Sequence, residues 1–325
     1  MKYAKLHGCQ NAYIYADSRE ITGEPAAIAR AVAAPPPRGI GADGLITYGP
    51  SDVADVRMTV YNADGSRAAM CGNGARALAK WILDNDPAIG KTISTAAPLA
   101  ALAERLAPLA GAFAQALTGR GVPADAPLAV RSLSVETDSG VKTITALLRD
   151  GAVIVAAVHA GLATLRLDGI GPAQPRIDGD RMVDVPLTAA GATVQVTCVL
   201  VGNLHAVVFV PDTDAFPFGT YGPALECHAI FPDRVNVHFV TVEHRSRLRM
   251  RPWERGSGPT PACGTGACAA LAAAVVRGAA ELEAEIVQPG GSVCVCLIPD
   301  DPDQWHAHLI GPAELVETGS WPTGI

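Results

Sequence analysis

The spacing of apolar and polar positions changes period repeatedly along the chain, and each change marks an element. Residues 3 to 16 alternate and carry Tyr3, Leu6, Tyr13, Ile14 and Tyr15, which predicts two strands joined by a glycine turn at Gly8. Ala26 to Val32 reads as a short helix ended by Pro35-Pro36-Pro37. Val53 to Tyr61 alternates as a strand, and from about Gly74 to Leu83 a helix can turn Ala77, Leu78, Trp81 and Ile82 to a core. Leu99, Leu102, Leu106, Leu109, Phe113 and Leu117 also recur at helical spacing, but Pro108 breaks any single helix there. Residues 96 to 130 therefore read as an inserted helical hairpin covering part of the first domain. Strand patterns follow from Ser132 to Val158 around a Ser139-Gly140 turn, and near Leu165 to Pro175 the pattern lapses into Gly, Pro and Asp, where a domain boundary is expected.

The second half repeats the plan of the first. Strands are predicted at Val194 to Leu200, Ala206 to Val210, Val235 to Val242 and Arg247 to Arg251, then a helix from Cys263 to about Val276. A Pro289-Gly290-Gly291 turn leads to strands around Val293 to Leu297 and His306 to Ile310. The repetition extends to single residues. Met70-Cys71-Gly72-Asn73-Gly74-Ala75-Arg76-Ala77 and Ala262-Cys263-Gly264-Thr265-Gly266-Ala267-Cys268-Ala269 lie 192 residues apart. The same gapless offset sets Asn11 opposite Asn203, Gly44 opposite Asn236 and Asn62 opposite Glu254. Register held over four motif pairs is the signature of a duplicated domain, with the two cysteines expected to meet across a cleft.

Bulk properties narrow the class. The chain has 325 residues, 49% hydrophobic and 18% charged, with a net charge of -7 and no block of like charges. That describes a globular protein of two domains with no nucleic-acid surface. The N-terminus runs into polar residues at once and the longest apolar tract, after Cys263, is too short to span a bilayer, so no membrane association and a cytoplasmic location are expected. Eight cysteines are spread over the chain without a secretory signal, which favours free thiols. Gly39-Ile40-Gly41-Ala42-Asp43-Gly44 fits G-x-G-x-x-G, but a prolyl run precedes it and a strand follows it. A dinucleotide fingerprint needs the reverse context, so the match is rejected.

A cysteine followed by Gly-x-Gly at a helix start carries specific chemistry. Unpaired N–H groups and the helix dipole are expected to stabilise a thiolate there, and the same N–H groups can hold a carboxylate. Two such ends would bind a substrate carboxylate and set its α-carbon between two sulfurs, one thiolate abstracting a proton while the opposite thiol donates one. Cys198, Cys268, Cys294 and Cys296 read as small core residues. No Cys-x-x-Cys or clustered His spacing suggests a metal, and His306 and His308 alone do not make a site. A disulfide oxidoreductase is the rival reading of Cys71 and Cys263, though it normally keeps its cysteines close in sequence. Pyridoxal phosphate would need a Schiff-base lysine and a phosphate cradle. The lysines, Lys2, Lys5, Lys80, Lys91 and Lys142, all fall in the first half without a P-loop, so no cofactor is expected.

At these residues the chain resembles the diaminopimelate epimerase family of cofactor-independent, two-cysteine epimerases and racemases. The likeness runs in order through Lys5-Leu6-His7-Gly8 with Asn11, Gly39 to Gly44, Asn62-Ala63-Asp64-Gly65-Ser66, Met70 to Gly74, and Gly202-Asn203 with His205. It continues through Phe231 to Val237, Glu254-Arg255-Gly256-Ser257-Gly258, Ala262 to Ala267 and Pro289-Gly290-Gly291. The resemblance implies an α/β (α+β) fold of two pseudo-symmetric domains, each wrapping a β-sheet around a central helix, with the active site in the cleft between them. The expected division is 1–168, including the 96–130 insertion, then 169–308, with 309–325 returning to the first domain.

The resemblance further implies that Cys71 and Cys263 are the acid/base pair, with His205 and Glu254 beside them tuning the thiols and the substrate α-amino group. Gly72, Asn73, Gly264 and Thr265 would hold the reacting carboxylate, and Asn11, Asn62, Asn203, Asn236 and Arg255 the rest of the substrate. The implied reaction interconverts LL- and meso-2,6-diaminopimelate, a step of lysine and peptidoglycan-precursor biosynthesis, on a small amino acid with no metal. A homodimer remains an open reading. The chain departs from the family pattern at Ala12, where an Asp is usual, at Leu204, usually Pro, and at Pro259, usually Glu. These keep open a cofactor-independent racemase of another free amino acid, and a non-catalytic ligand-binding protein on the same scaffold.

Overall fold

The computed structural model describes residues 1–167 and 180–322. The chain divides into two compact units. The first comprises Met1–Ala110, Leu117–His159 and Gly311–Ile325, and the second Gly111–Ala116 and Ala160–Ile310. The division falls inside one long strand, and part of the segment where the sequence pattern lapses, 168–179, lies outside the described residues.

In chain order the first unit begins with β1 (Lys2–Gly8), β2 (Asn11–Asp17), α1 (Pro25–Ala33), β3 (Gly44–Gly49), β4 (Val56–Asn62), β5 (Arg67–Ala68) and α2 (Gly72–Asn85). It continues with β6 (Lys91–Ala97), α3 (Leu99–Leu106), then α4 (Ala110–Thr118), β7 (Leu128–Thr137), β8 (Gly140–Arg149) and β9 (Ala152–Thr164), the strand that holds the division. The second unit contains β10 (Val185–Ala189), β11 (Ala192–Val201), β12 (Asn203–Phe209), α5 (Phe218–Glu226), β13 (Asn236–His244), β14 (Arg247–Glu254), β15 (Gly258–Pro259) and α6 (Gly264–Val276). It closes with β16 (Glu283–Gln288), β17 (Gly291–Asp301) and β18 (Gln304–Gly311), and β19 (Glu314–Ser320) pairs antiparallel with β1 in the first unit.

The repeat is kept in the strand register. Parallel β2 and β3 align Ile14 with Leu45, and parallel β12 and β13 align Ala206 with Val237. Antiparallel β3 and β4 align Leu45 with Tyr61, while β13 and β14 align Val237 with Trp253. Tyr61 faces Arg67, and Trp253 faces Pro259. Every second-unit partner stands 192 positions after its counterpart. The offset ends downstream of the helix, where β4 pairs Val56 with Val135 but β14 pairs Leu248 with Ile286, and the first hairpin also departs. Between β1 and β2 the turn holds Cys9 and Gln10, both left-handed at φ 55° and 61°, whereas Gly202 at φ 73° alone joins β11 to β12.

Each unit wraps strands around one helix. In the second unit α6 packs against β11, β12, β13, β14, β16 and β17, and Gly266 through Ala274 are all buried. A helix enclosed on every side must be apolar all round, and alanine keeps it thin enough for the sheet to close over it. In the first unit α2 packs against β1, β2, β7, β8 and β19, burying Asn73 through Ala79 with Ile82 and Leu83. The fold is therefore α/β with a sheet-wrapped central helix in each unit. Among the described residues no helix is long and apolar enough to cross a membrane.

The inserted segment differs from the expected hairpin over the first domain. Leu102 and Leu106 of α3 are buried, but Gly111–Ala116 belong with the second unit. The Gln115 side chain donates to the Ser246 carbonyl at 3.1 Å, and the Glu283 carboxylate accepts from the Ala112 N–H. Gly111 makes that approach feasible, since a Cβ there would stand 2.6 Å from Glu283 Oε1.

Candidate active site

In the first unit Cys71 is the N-cap of α2. Its backbone is extended at φ -134° and ψ 112°, and its Sγ accepts the Gly74 N–H at 3.3 Å. A sulfur thus occupies the place a hydroxyl or carboxylate oxygen usually takes at a helix start. Asn11, at the start of β2, brings Oδ1 to 3.6 Å from that sulfur. Its Nδ2 donates to Asp43 Oδ2 at 3.0 Å, and the same oxygen accepts the Ala12 N–H at 2.7 Å. The Tyr13 hydroxyl also bonds the Cys71 sulfur, and Tyr15 donates its hydroxyl to the Gly74 carbonyl at 3.1 Å. Burial, the largest cause, together with the neighbouring Cys71 and Asp43 raises the Tyr13 pKa, so this phenol stays protonated. Asn73 is buried and accepts from Arg76 Nη2 at 2.9 Å. Asn62 is the last residue of β4 and donates Nδ2 to Ser66 Oγ at 3.0 Å.

In the second unit Cys263 is the N-cap of α6 with φ -130° and ψ 112°, nearly the backbone of Cys71. Its own N–H donates to Gln288 Oε1 at 2.8 Å, and its sulfur lies 3.8 Å from Thr265 Oγ1. The thiol also hydrogen-bonds the Glu254 carboxylate, whose Oε1 accepts from Thr260 Oγ1 at 2.6 Å. Asn236 braces the Glu254-Arg255-Gly256 turn. Its Oδ1 accepts the Arg255 N–H at 3.0 Å, and its Nδ2 donates to the Leu204 carbonyl at 3.1 Å. Glu226 of α5 holds the same turn from the other side, accepting the Gly256 N–H at 2.8 Å and Trp253 Nε1–H at 2.8 Å.

The electrostatics of Cys263 differ from the sequence expectation. Burial, and after it the Glu254 charge, push its pKa well above the ordinary thiol value, while the Gly266 N–H and Thr265 act in the opposite direction. A helix N-terminus favours a thiolate, but here desolvation and an adjacent carboxylate outweigh it. Cys263 rests as a thiol. Beside it, His205 and His238 are fully buried, with His205 Nδ1 and His238 Nε2 at 2.8 Å and His205 Nε2 at 2.8 Å from Asn203 Oδ1. Burial first, then His238 and Arg255, hold the His205 pKa well below its ordinary value, and burial pushes His238 down to about 3. Both rings are neutral.

One ligand atom from each of His205, His238 and Cys263 lies within 4.8 Å of the others, a cluster that spacing along the chain did not reveal. The two imidazole nitrogens at 2.8 Å already share a proton, and two ligands about 2.0–2.1 Å from one tetrahedral zinc stand farther apart than that. A hydrogen bond, not an ion, fits this gap.

A profile of the family described as Diaminopimelate epimerase matches residues 3–97 and 197–316, which include both cysteine motifs. The chain belongs to the diaminopimelate epimerase family. A diaminopimelate epimerase of Agathobacter rectalis is 35% identical, covering 98% of each chain. Those of Acetivibrio thermocellus and Methanococcus maripaludis are 34% and 33% identical, covering 98% of this chain and 98% and 99% of their own lengths. As a member of an epimerase family the chain is an isomerase. Solved structures with the same fold include a hydroxyproline epimerase from Agrobacterium vitis, with a TM-score of 0.61 at 15% identity over 98% of this chain and 90% of that one. A phenazine biosynthesis protein of the PhzF family from Bacillus anthracis gives 0.60 at 16% identity over 98% of both.

For a diaminopimelate epimerase family member, the sequence candidates fall into two groups. Asn11, Cys71, Gly72 and Asn73 lie at the N-terminus of α2, with Asn62 in the same unit at the end of β4, and Asn203, His205, Asn236, Glu254, Arg255, Cys263, Gly264 and Thr265 belong to the second unit, where α6 begins at Gly264. Tyr13, Asp43, His238, Thr260 and Gln288 were not singled out from sequence, although each touches a candidate, and neither was Glu226, which holds the turn that follows Glu254 and Arg255. The repeat offset held a signal for two of them, because Tyr13 stands opposite His205 and Ile46 opposite His238. Gln288 and Glu226 reach the site from later or unmatched positions, where no motif marks them.

Proposed function

We propose that this chain interconverts LL- and meso-2,6-diaminopimelate without a cofactor, with Cys71 and Cys263 as the two acid/base groups. One observation carries the reading: in a member of this family, each repeat unit makes a cysteine the N-cap of its central helix, in the same backbone conformation. Family membership over nearly the whole chain supports the substrate.

Cys263, kept protonated by burial and by Glu254, is the acid of the resting enzyme. Cys71, whose sulfur accepts the Gly74 N–H, is the base that removes the α-proton. The carbanion is then protonated by Cys263 on the opposite face, which inverts the carbon and leaves a Cys71 thiol and a Cys263 thiolate. Glu254, hydrogen-bonded to Cys263, passes protons between that sulfur and solvent, and exchanged roles run the reverse direction. The N–H groups of Gly72, Asn73, Gly264 and Thr265 hold the reacting carboxylate, where helix N-termini favour negative charge. Asn11, Asn62, Asn203, Asn236 and Arg255 bind the remainder, the planar guanidinium suiting a carboxylate. His205 positions Asn203 beside this chemistry.

Proton NMR of LL-diaminopimelate with reduced enzyme in heavy water tests the reading. Loss of the α-proton signal with appearance of the meso isomer is expected. Exchange of some other L-amino acid and none of diaminopimelate would move the chain to another substrate, and no exchange at all would contradict catalysis.

A further inference from the structure

We infer that His238 is a positioning residue whose Nε2–H fixes His205 in its Nε2-protonated tautomer and thereby turns the Asn203 amide so that its NH2 is left to donate to substrate. The inference rests on the reading of Asn203 as a substrate-binding residue.

The three side chains form a line. His238 Nε2 meets His205 Nδ1 at 2.8 Å, and His205 Nε2 meets Asn203 Oδ1 at 2.8 Å. Both rings are fully buried, while Asn203 is exposed. A neutral imidazole carries one N–H, so the line can run in only two directions. If His205 donated from Nδ1, His238 would carry its proton on Nδ1, and the Asn203 amide would turn to donate to His205 Nε2. His238 Nδ1 is buried with no hydrogen-bond partner among the described residues. A proton there would be an orphaned buried N–H, which costs more than an orphaned lone pair. The line therefore runs outward: His238 Nε2–H to His205 Nδ1, His205 Nε2–H to Asn203 Oδ1. With its oxygen occupied, Asn203 offers two N–H groups, which suit a carboxylate oxygen.

The matched asparagine of the first unit is set the other way. Asp43 accepts from Asn11 Nδ2, and Asn11 Oδ1 faces the Cys71 sulfur. Positions opposite His205 and His238 hold Tyr13 and Ile46, so no such relay exists there. The two repeats thus present opposite ends of one amide, a device that distinguishes the two sides of the reacting amino acid.

Two measurements test this. In protein labelled with 15N-histidine, long-range 15N–1H spectra at neutral pH, assigned by the loss of signals in His205→Asn and His238→Met, should show His205 Nε2 protonated and Nδ1 unprotonated. A proton on His205 Nδ1 would overturn the relay whatever the substrate. Kinetically, His238→Met should raise KM for diaminopimelate roughly tenfold, the scale of one hydrogen bond to a charged group, with a smaller change in kcat. His238→Gln, which restores an N–H donor, should recover most of that. An unchanged KM in His238→Met, or a His238→Gln variant no better than it, would contradict the inference. A wild-type enzyme that does not turn over diaminopimelate would count against the proposed function, and the spectra would still judge the relay.

Discussion

The imidazole of His238 lies over Gly266, so closely that a Cβ built on that glycine would meet Cε1 at 2.3 Å and Nε2 at 2.5 Å. In the first unit the equivalent contact is between Gly74 and Ile46, whose Cδ1 would stand 2.5 Å from the added carbon. A rigid ring tied by a hydrogen bond yields less than the end of an isoleucine. Gly266→Ala should destabilise the protein by about 1–3 kcal/mol, the scale of overpacking a core, and Gly74→Ala by less. Urea unfolding of the two variants compares them directly, and equal or reversed losses would show that the His238 ring is not held as described.

Acid should weaken the fold through the histidine pair. His205 and His238 have pKa values depressed by burial, the latter to about 3. The unfolded chain takes up protons at these residues below its ordinary histidine pKa while the native protein does not, so stability rises with pH in this window. The stabilisation is present above pH 6.5 and is lost progressively as pH falls towards 3, at about 1.4 kcal/mol per pH unit for His238 alone. His205 adds a loss of the same sign. Urea unfolding between pH 7 and pH 4.5 should show a slope that flattens in His238→Gln, and an unchanged slope would contradict neutral burial of this ring.

Glu254 should control the ionisation of Cys263. Its charge raises the thiol pKa, second only to burial, so Glu254→Gln should lower it and increase alkylation of Cys263 several-fold at pH 8, where thiolate is the reactive form. Turnover should fall in the same variant, because the group proposed to exchange protons with the thiol is gone. Peptide mass spectrometry of iodoacetamide-treated protein reads the first effect. Alkylation that stays constant or drops would place Glu254 outside the electrostatics of the thiol.

Glu226 should matter although it lies on α5, away from either cysteine motif. Its buried carboxylate accepts from Gly256 N–H and Trp253 Nε1–H, and Arg234 stands 3.6 Å away. Glu226→Ala leaves two donors without an acceptor, at a cost of about 1–3 kcal/mol, and loosens the turn that carries Glu254 and Arg255. Thermal unfolding and the KM for diaminopimelate should both worsen. A stable variant with native KM would show that Asn236 alone holds the turn.

The repeat was legible because no insertion disturbs its offset between Asn11 and Cys71, or between Asn203 and Cys263. Strand register then follows from period-two patterning, and both helix starts from the Gly-x-Gly after each cysteine. Contacts made at a distance were not legible. Gln288 reaches the Cys263 N–H from β16, and Glu226 reaches Gly256 from a helix whose Gly219, Gly222 and Pro223 obscure its helical pattern. The Cys263 pKa reversed the expectation for a related reason. A helix N-terminus is visible in a motif, whereas burial and a carboxylate contact depend on the whole fold. The inserted segment shows the same limit, since apolar spacing predicted α3 and α4 but not that Gly111 would let α4 meet Glu283.

In the proposed reaction one thiol from each repeat shares the work of inversion. Cys71→Ser and Cys263→Ser, each incubated in heavy water with LL- and with meso-diaminopimelate and followed by proton NMR, test it most directly. Epimerisation should be abolished in both variants with both isomers, while circular dichroism and urea unfolding remain native. Epimerisation at the wild-type rate in either variant would contradict the account.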